Sequence, residues 1–296
     1  MFNKDLLKDK KILVTGGGSG LGKAMTRKFL DLGAEVVIWG RRQAVLEASA
    51  AELARETGGR IAAQTVDIRD PDAIEAAVDR LWQHRPLAGL VNNAAGNFIS
   101  RTEDLSPRAF NAIASIVFHG TFNVTNAVGK RWLAQGLKGN ILSIVTTWVW
   151  TGSPFVVPSA MSKAGVAAMT QSLAVEWGPR GIRANAIAPG PFPTKGAWDR
   201  LLPADKAGEA PAREGIEAIP LKRYGRHEEL ANLAAFLMAD ATEYITGAVI
   251  PIDGGQYLNG AGTFAGLWSL SDDDWRAARQ AIKAANEADK AQRARS

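Results

Sequence analysis

The chain has 296 residues, 46% of them hydrophobic and 22% charged, with a formal net charge of +5 and no cysteine. That length suits one large α/β domain, and that composition can bury a substantial core. Disulfides and thiolate metal sites are excluded, and the three histidines, His84, His119 and His227, lie too far apart in sequence to suggest a metal site. Basic residues are scattered apart from Arg41-Arg42 and the terminal QRARS, so no basic face interleaved with aromatics marks a nucleic-acid binder. No apolar run reaches the roughly 18 residues of a membrane span. The opening MFNKDLLKDKK lacks the apolar stretch and cleavage site of a secretion signal, so a cytoplasmic protein is expected.

In chain order, Lys11–Thr15 reads as a short strand, followed by GGGSGLG and a helical pattern. Glu35–Trp39 is a second strand, Gln43–Glu56 a helix, Arg60–Val66 a third strand and Pro71–Trp82 a helix with proline in its first turn. Leu87–Val91 is a fourth strand running into NNAAGNF, and one long helix is expected from Ser106 to Gln135. Asn140–Val145, Ile182–Ile187 and Ala248–Ile252 complete seven strands, with helices over Ser159–Trp177 and Glu228–Met238. Such alternation predicts a doubly wound, Rossmann-type parallel sheet with helices on both faces. Its loops converge on the edge at which the strands end, where ligands bind. The expected organisation is one domain over 1–260, with a substrate lid at about 191–215, and a helical extension over 261–296. Ser271 or Asp272 would cap that last helix, with Asp272, Asp273 and Asp274 in its first turn.

Gly16 to Gly22 stands between a strand and a helix, where glycines permit a tight turn and close approach to a pyrophosphate at the helix N-terminus. Gly16, Gly18, Ser19, Gly20 and Leu21 are the candidate phosphate-turn residues. After the second strand, a site for NAD would carry an acid for the ribose hydroxyls. This chain carries Arg41 and Arg42, suited to a 2′-phosphate, so NADP(H) is the expected cofactor. Asp67, with Ile68 beside it, is placed to meet the adenine.

TGGGSGLG (Thr15–Gly22), NNAAG (Asn92–Gly96), the lysine of SAMSKAG and Pro189-Gly190 together resemble the short-chain dehydrogenase/reductase family, over about residues 8–256. The resemblance implies hydride transfer from a bound nicotinamide, with Asn93, Ala94 and the run Pro189, Gly190, Pro191, Phe192 along the cofactor, and a dimer or tetramer. NNAAGNFIS, TGSPFVVPSAMSKAGV, LAVEWG, APGPFPTKGA and HEELANLAAFL are most similar to the 2,4-dienoyl-CoA reductases, mitochondrial type and bacterial relatives. In these, as here at Ser159, a serine replaces the family tyrosine four residues before the lysine, Lys163.

That resemblance implies an NADPH-dependent reductase of an unsaturated acyl-CoA, completed by a solvent proton. Lys163 would hold the nicotinamide ribose, and Ser159 would bond near the nicotinamide. Asn97 would donate to the thioester carbonyl as it gains charge. Phe98 and Ser106 would line the acyl and pantetheine path with Thr147, and Arg69 and Arg200 would meet the CoA phosphates. The mitochondrial enzymes use a tyrosine where this chain has Trp148, so Trp148, Thr146 or Thr147 would make that bond, or the chemistry differs. His119 reads as a packed helix histidine or a proton relay. Trp148 and Trp150 alternate with Val149, as on a β-like segment, and either packs or meets the acyl chain. Asp253-Gly254-Gly255 reads as a turn at a subunit contact. The competing readings are a reductase of another carbonyl or enone, and a catalytically weak NADP(H)-binding protein.

Overall fold

Strand β1 (Lys11–Thr15) is buried along its whole length. Ile12 and Val14 enter one apolar layer with Val36, Ile38 and Phe29, while Leu13 enters a second with Val37, Trp39 and Val78. Both faces are covered, which is why Ile12, Leu13 and Val14 are apolar in succession and do not alternate with polar residues. The other strands are β2 (Glu35–Gly40), β3 (Ile61–Thr65), β4 (Gly89–Asn92), β5 (Gly139–Ile144), β6 (Ile182–Pro189) and β7 (Val249–Ile252). They form a seven-stranded sheet in the order β3-β2-β1-β4-β5-β6-β7, with every pairing parallel. The doubly wound fold expected from the alternation is therefore present. Strand order reverses between β1 and β4, and the loops that leave these two strands flank the crevice where such sheets bind ligands.

The computed structural model describes residues 2–194, 213–259, 267 and 269–293. One layer holds α1 (Gly20–Asp31), α2 (Gln43–Thr57) and, after the short α8 (Arg213–Glu217), α9 (His227–Met238). The other holds α3 (Pro71–Trp82), α5 (Thr121–Ala134) and α7 (Val157–Trp177). Asp70 caps α3, its Oδ1 accepting from the amides of Asp72 and Ala73, with proline in the first turn as expected. In the second layer the indole of Trp132 donates to the Leu87 carbonyl at 2.6 Å. A Cβ on Gly139 would lie 2.5 Å from that indole, so the β5 position beneath Trp132 admits only glycine.

Three expectations are corrected. The single helix from Ser106 to Gln135 is α4 (Pro107–Ala114), a π-helical turn over Ser115–Gly120, and then α5. The wider turn brings Gly120 against the loop after β3, where a Cβ would lie 2.8 Å from the Ile68 side chain and 3.0 Å from its carbonyl. Trp148–Thr151 is a helical turn, α6, and not a β-like segment. His119 is exposed, with its ring edge-on to Phe118 at 5.3 Å, so it is not a packed helix histidine.

The chain divides into two compact units, Met1–Tyr257 and Leu258–Ser296. A short turn, α10 (Gln256–Asn259), spans the division, and the second unit contains α11 (Asp272–Arg293). Its start is a reciprocal cap: Ser271 Oγ accepts from the Asp274 amide at 3.2 Å, and Asp274 Oδ2 accepts from the Ser271 amide at 2.8 Å. No described helix is long and apolar enough to cross a membrane.

Candidate active site

The glycine turn after β1 is fastened to the loop after β4. Thr15 Oγ1 accepts from the amides of Asn93 and Ala94 at 3.0 and 3.1 Å and donates to the Val91 carbonyl at 3.3 Å. Asn93 Nδ2 donates to the carbonyls of Thr15 and Gly16 at 3.0 and 3.3 Å. Gly16 and Gly20 have φ of +68° and +51°, and a Cβ on Gly22 would lie 2.2 Å from the Gly16 carbonyl oxygen. No side chain fits at Gly22 without displacing the turn. Ser19 precedes α1 without a side-chain cap, and the first turn of α1 holds no acid. Its first amides, without side-chain partners among the described residues, and the positive end of the helix therefore face the turn, an arrangement suited to an anion. Leu21 packs against the core and Gly18 against Leu46, so these two residues can offer a ligand only backbone.

Beside the turn a cleft is lined by Gly16, Gly40, Arg41, Asp67, Ile68 and Ala94, all from the ends of strands β1 to β4. Trp39, Ala95 and Ile116 line it too and were not singled out in the sequence. Ile116 reaches it from the π-turn, which only the structure reveals. The expected arginine pair is split. Arg41 lines the cleft, whereas Arg42 is the residue before α2, exposed and outside the lining. Arg69, expected at the CoA phosphates, forks onto Asp67: its Nε lies 3.0 Å from both carboxylate oxygens, and its terminal nitrogen 2.5 Å from one. Arg69 holds the Asp67 pKa below its usual value. Any donor brought to Asp67 would therefore share it with a guanidinium. These residues fit a nicotinamide dinucleotide: free helix amides for the pyrophosphate, and a cleft at the strand-order reversal for the adenosine.

At the other end of the crevice, Ser159 and Lys163 stand one turn apart on α7, both buried. Lys163 Nζ donates to the Ile144 carbonyl at the end of β5. Burial lowers its pKa from 10.5 to about 8, leaving it charged at neutral pH. The Ser159 amide makes a first-turn bond to Val156, and its hydroxyl has no partner among the described residues. Asn97 Oδ1 accepts from the Phe98 amide at 2.9 Å. That bond fixes the carboxamide and leaves Nδ2 as a donor without a partner among the described residues. The next link, 2.9 Å from the Ser100 amide to the Phe155 carbonyl, ties this loop to the entrance of α7.

Just before α6, Thr147 is buried and its carbonyl accepts from the Trp150 amide at 3.1 Å. The Trp148 amide reaches Thr146 Oγ1 at 3.2 Å, and the Trp148 indole is partly exposed. Trp150 stacks on Tyr257 with ring centroids 5.0 Å apart. Ser106, expected on the substrate path, is the N-cap of α4, accepting from the Ala109 amide at 3.1 Å. At the end of β6, Gly190 packs so closely on Asp253 that a Cβ would lie 2.4 Å away. Asp253 in turn accepts from the amides of Gly255 and Tyr257, the turn read from the sequence. The Pro191 carbonyl accepts from Gly225, and the Pro193 carbonyl bonds His227 at 2.7 Å. Phe192, expected along the cofactor, is 7% exposed in the first apolar layer. Most of the lid expected at 191–215, including Arg200, lies outside the described residues. No described group of three or more His, Asp or Glu residues could hold a metal ion.

Residues 16–256 match the family model described as Enoyl-(Acyl carrier protein) reductase. A Caenorhabditis elegans protein named "Probable 2,4-dienoyl-CoA reductase 3", (3E)-enoyl-CoA-producing, is 44% identical over 275 residues, covering 91% of this chain and 88% of the relative. A Bacillus subtilis (strain 168) protein named "Probable 2,4-dienoyl-CoA reductase", (2E)-enoyl-CoA-producing, is 41% identical over 258 residues, 86% of this chain and 98% of the relative. An Agrobacterium tumefaciens crystal structure with bound NADP superposes with a TM-score of 0.77 at 31% identity, covering 87% of this chain and 100% of that one.

Proposed function

The chain belongs to the short-chain dehydrogenase/reductase family of oxidoreductases, and we propose that within it this enzyme is an NADPH-dependent reductase of 2,4-dienoyl-CoA thioesters. The observation that carries the proposal is the pairing of a free carboxamide donor at Asn97 with a serine, not a phenol, one turn before Lys163. A site that reduces a carbonyl carbon must protonate the oxygen, and a serine hydroxyl is a poor acid for that task. A site that delivers hydride to the far end of a conjugated thioester needs only to stabilise charge on the carbonyl oxygen. Asn97 supplies such a donor, and two relatives carry the matching name.

When bound, NADPH supplies the hydride. Lys163 would hold the nicotinamide ribose and keep the local field positive. Ser159 would bond beside the nicotinamide, and Pro189–Pro191 would flank it. Asn97 Nδ2 would donate to the thioester oxygen, joined by the Trp148 indole in place of a tyrosine. Indole N–H can donate but cannot release its proton, so solvent would complete the reaction. Arg41 would pair the 2′-phosphate, and Asp67 would meet the adenine. Phe98 and Thr147 would contact the acyl group, while Arg69, once released from Asp67, and Arg200 would meet the CoA phosphates. Mixing the purified protein with NADPH and 2,4-hexadienoyl-CoA is expected to consume NADPH, followed by absorbance. Absence of consumption with NADPH binding intact would favour a reductase of another enone or a cofactor-binding protein.

The second copy that the family resemblance implies has a surface to cover. Met161, Ala164, Ala168 and Val175 are exposed along one stripe of α7, Met161 at 57% and Val175 at 79%. Phe118 and Phe122 are exposed at 41% and 52%. A homodimer or homotetramer using this stripe is expected. Light scattering reads it directly, and a monomeric mass at micromolar concentration removes it.

A further inference from the structure

Phe155 has a φ of +64°, in the left-handed region that bulky residues rarely occupy. Glycine fits there without strain, and Gly152, at +66°, does so three residues earlier. What the conformation accompanies is the link between loops, the Phe155 carbonyl accepting from the Ser100 amide at 2.9 Å. Ser100 follows Asn97 by three residues, and Phe155 precedes Ser159 by four. One left-handed residue thus joins the two segments that carry the candidate carbonyl donor and the candidate cofactor serine. Strain of this kind persists only where its surroundings hold it, and it concentrates at ligand clamps.

Fastening does not account for the ring. Phe155 is 57% exposed and so adds little to the core. Ile99, next to Ser100 across the link, is 41% exposed. Trp150, on the turn that carries Trp148, is 46% exposed although stacked on Tyr257. Large apolar groups left in water on these three segments mark a surface built to be covered. The phosphates and amides of a CoA carrier call for cations and hydrogen-bond partners, whereas a hydrocarbon chain calls for this surface.

We propose that Phe155, with Ile99 beside it, is the wall against which the hydrocarbon end of the acyl chain lies, and that it sets a preference for longer chains. The proposal rests on the acyl-thioester reading above. The test uses the full chain loaded with NADP+ and measures dissociation constants of hexanoyl-CoA and decanoyl-CoA by calorimetry, alongside turnover of 2,4-hexadienoyl-CoA and 2,4-decadienoyl-CoA. Phe155→Gly is expected to weaken decanoyl-CoA roughly tenfold and hexanoyl-CoA less than about twofold. Its melting temperature should fall no more than about 2 °C, because glycine relieves the left-handed strain. Phe155→Leu should keep most of the preference for the longer chain. Equal weakening of both thioesters, or of neither, overturns the proposal. So does a loss of decanoyl-CoA affinity that comes with a collapsed melting temperature and weakened NADPH binding. A parent protein that favours decanoyl-CoA yet reduces neither dienoyl thioester removes the reductase reading and leaves the wall standing. One that binds neither thioester better than CoA itself removes both.

Discussion

Lys163→Met is expected to lower kcat/KM for 2,4-hexadienoyl-CoA by a hundredfold or more, on the order of the loss when one preorganised charged donor is removed from a site. The folded protein should tolerate the change. Lys163 is buried, with its pKa lowered to about 8 from 10.5 by burial alone, so its charge works against folding. Methionine keeps the volume and removes that charge, at the cost of one donor to the Ile144 carbonyl. The two effects oppose, and the melting temperature at pH 7 should stay within about 4 °C of the parent. The same residue sets two opposite pH trends. Below about pH 8 the lysine is protonated in both the folded and the unfolded chain. Between about pH 8 and 10.5 the folded form has released its proton while the unfolded form retains it, so this group makes stability rise with pH. Activity runs the other way: kcat/KM should decline above about pH 8 as Lys163 loses its charge. Denaturant titrations at pH 7 and pH 9.5, on parent and variant, read the first trend, and a kcat/KM profile reads the second. A variant that retains turnover within about threefold of the parent removes Lys163 from the mechanism.

What the sequence disclosed follows from the range of each interaction. The strands were legible because a two-sided parallel sheet demands unbroken apolar runs such as Ile12–Val14, and the phosphate turn because positions with no room for a Cβ, Gly17 and Gly22 among them, have to be written in glycine. Ser159 and Lys163 were legible because one helical turn fixes their common face. The π-turn over Ser115–Gly120 was not, since a shifted hydrogen-bond register has no residue code and the apolar pattern runs through it. The stack of Trp150 on Tyr257 joins residues from two short helical turns far apart in the chain, and no local pattern announces it. The left-handed Phe155 escaped because a backbone angle is silent in the sequence unless a glycine marks it. The resemblance places Arg69 at the CoA phosphates, and nothing in the local pattern announces that two residues of spacing in a loop fold it onto Asp67.

That ion pair matters for the cofactor end, because it separates the arginines there by function. Arg69 shares its charge with Asp67, and Arg42 lies outside the cleft, so neither presents an uncommitted cation to a phosphate in it. Arg41 lines the cleft and forms no hydrogen bond or ion pair among the described residues. Its charge is balanced only at a distance, by Asp67. A 2′-phosphate on the ribose would give that guanidinium the forked, charge-assisted bonds it lacks. Hydrogen bonds to charged groups contribute about 1.5–3 kcal/mol. Arg41→Ala should therefore weaken NADPH roughly 10- to 100-fold. NADH has no phosphate there, and its affinity should change less than about threefold. Arg42→Ala should leave both nearly unchanged, which distinguishes a contact in the cleft from a general loss of positive charge. Raising the salt concentration should narrow the gap between the two cofactors in the parent and hardly alter it in Arg41→Ala, since an exposed ion pair is screened. Fluorescence titration of the reduced nicotinamide measures all six affinities, two cofactors on the parent and on each variant. Equal weakening of NADPH and NADH by Arg41→Ala would remove the 2′-phosphate assignment. It would also leave the cleft indifferent to the phosphate, because no other lining residue there carries a positive charge.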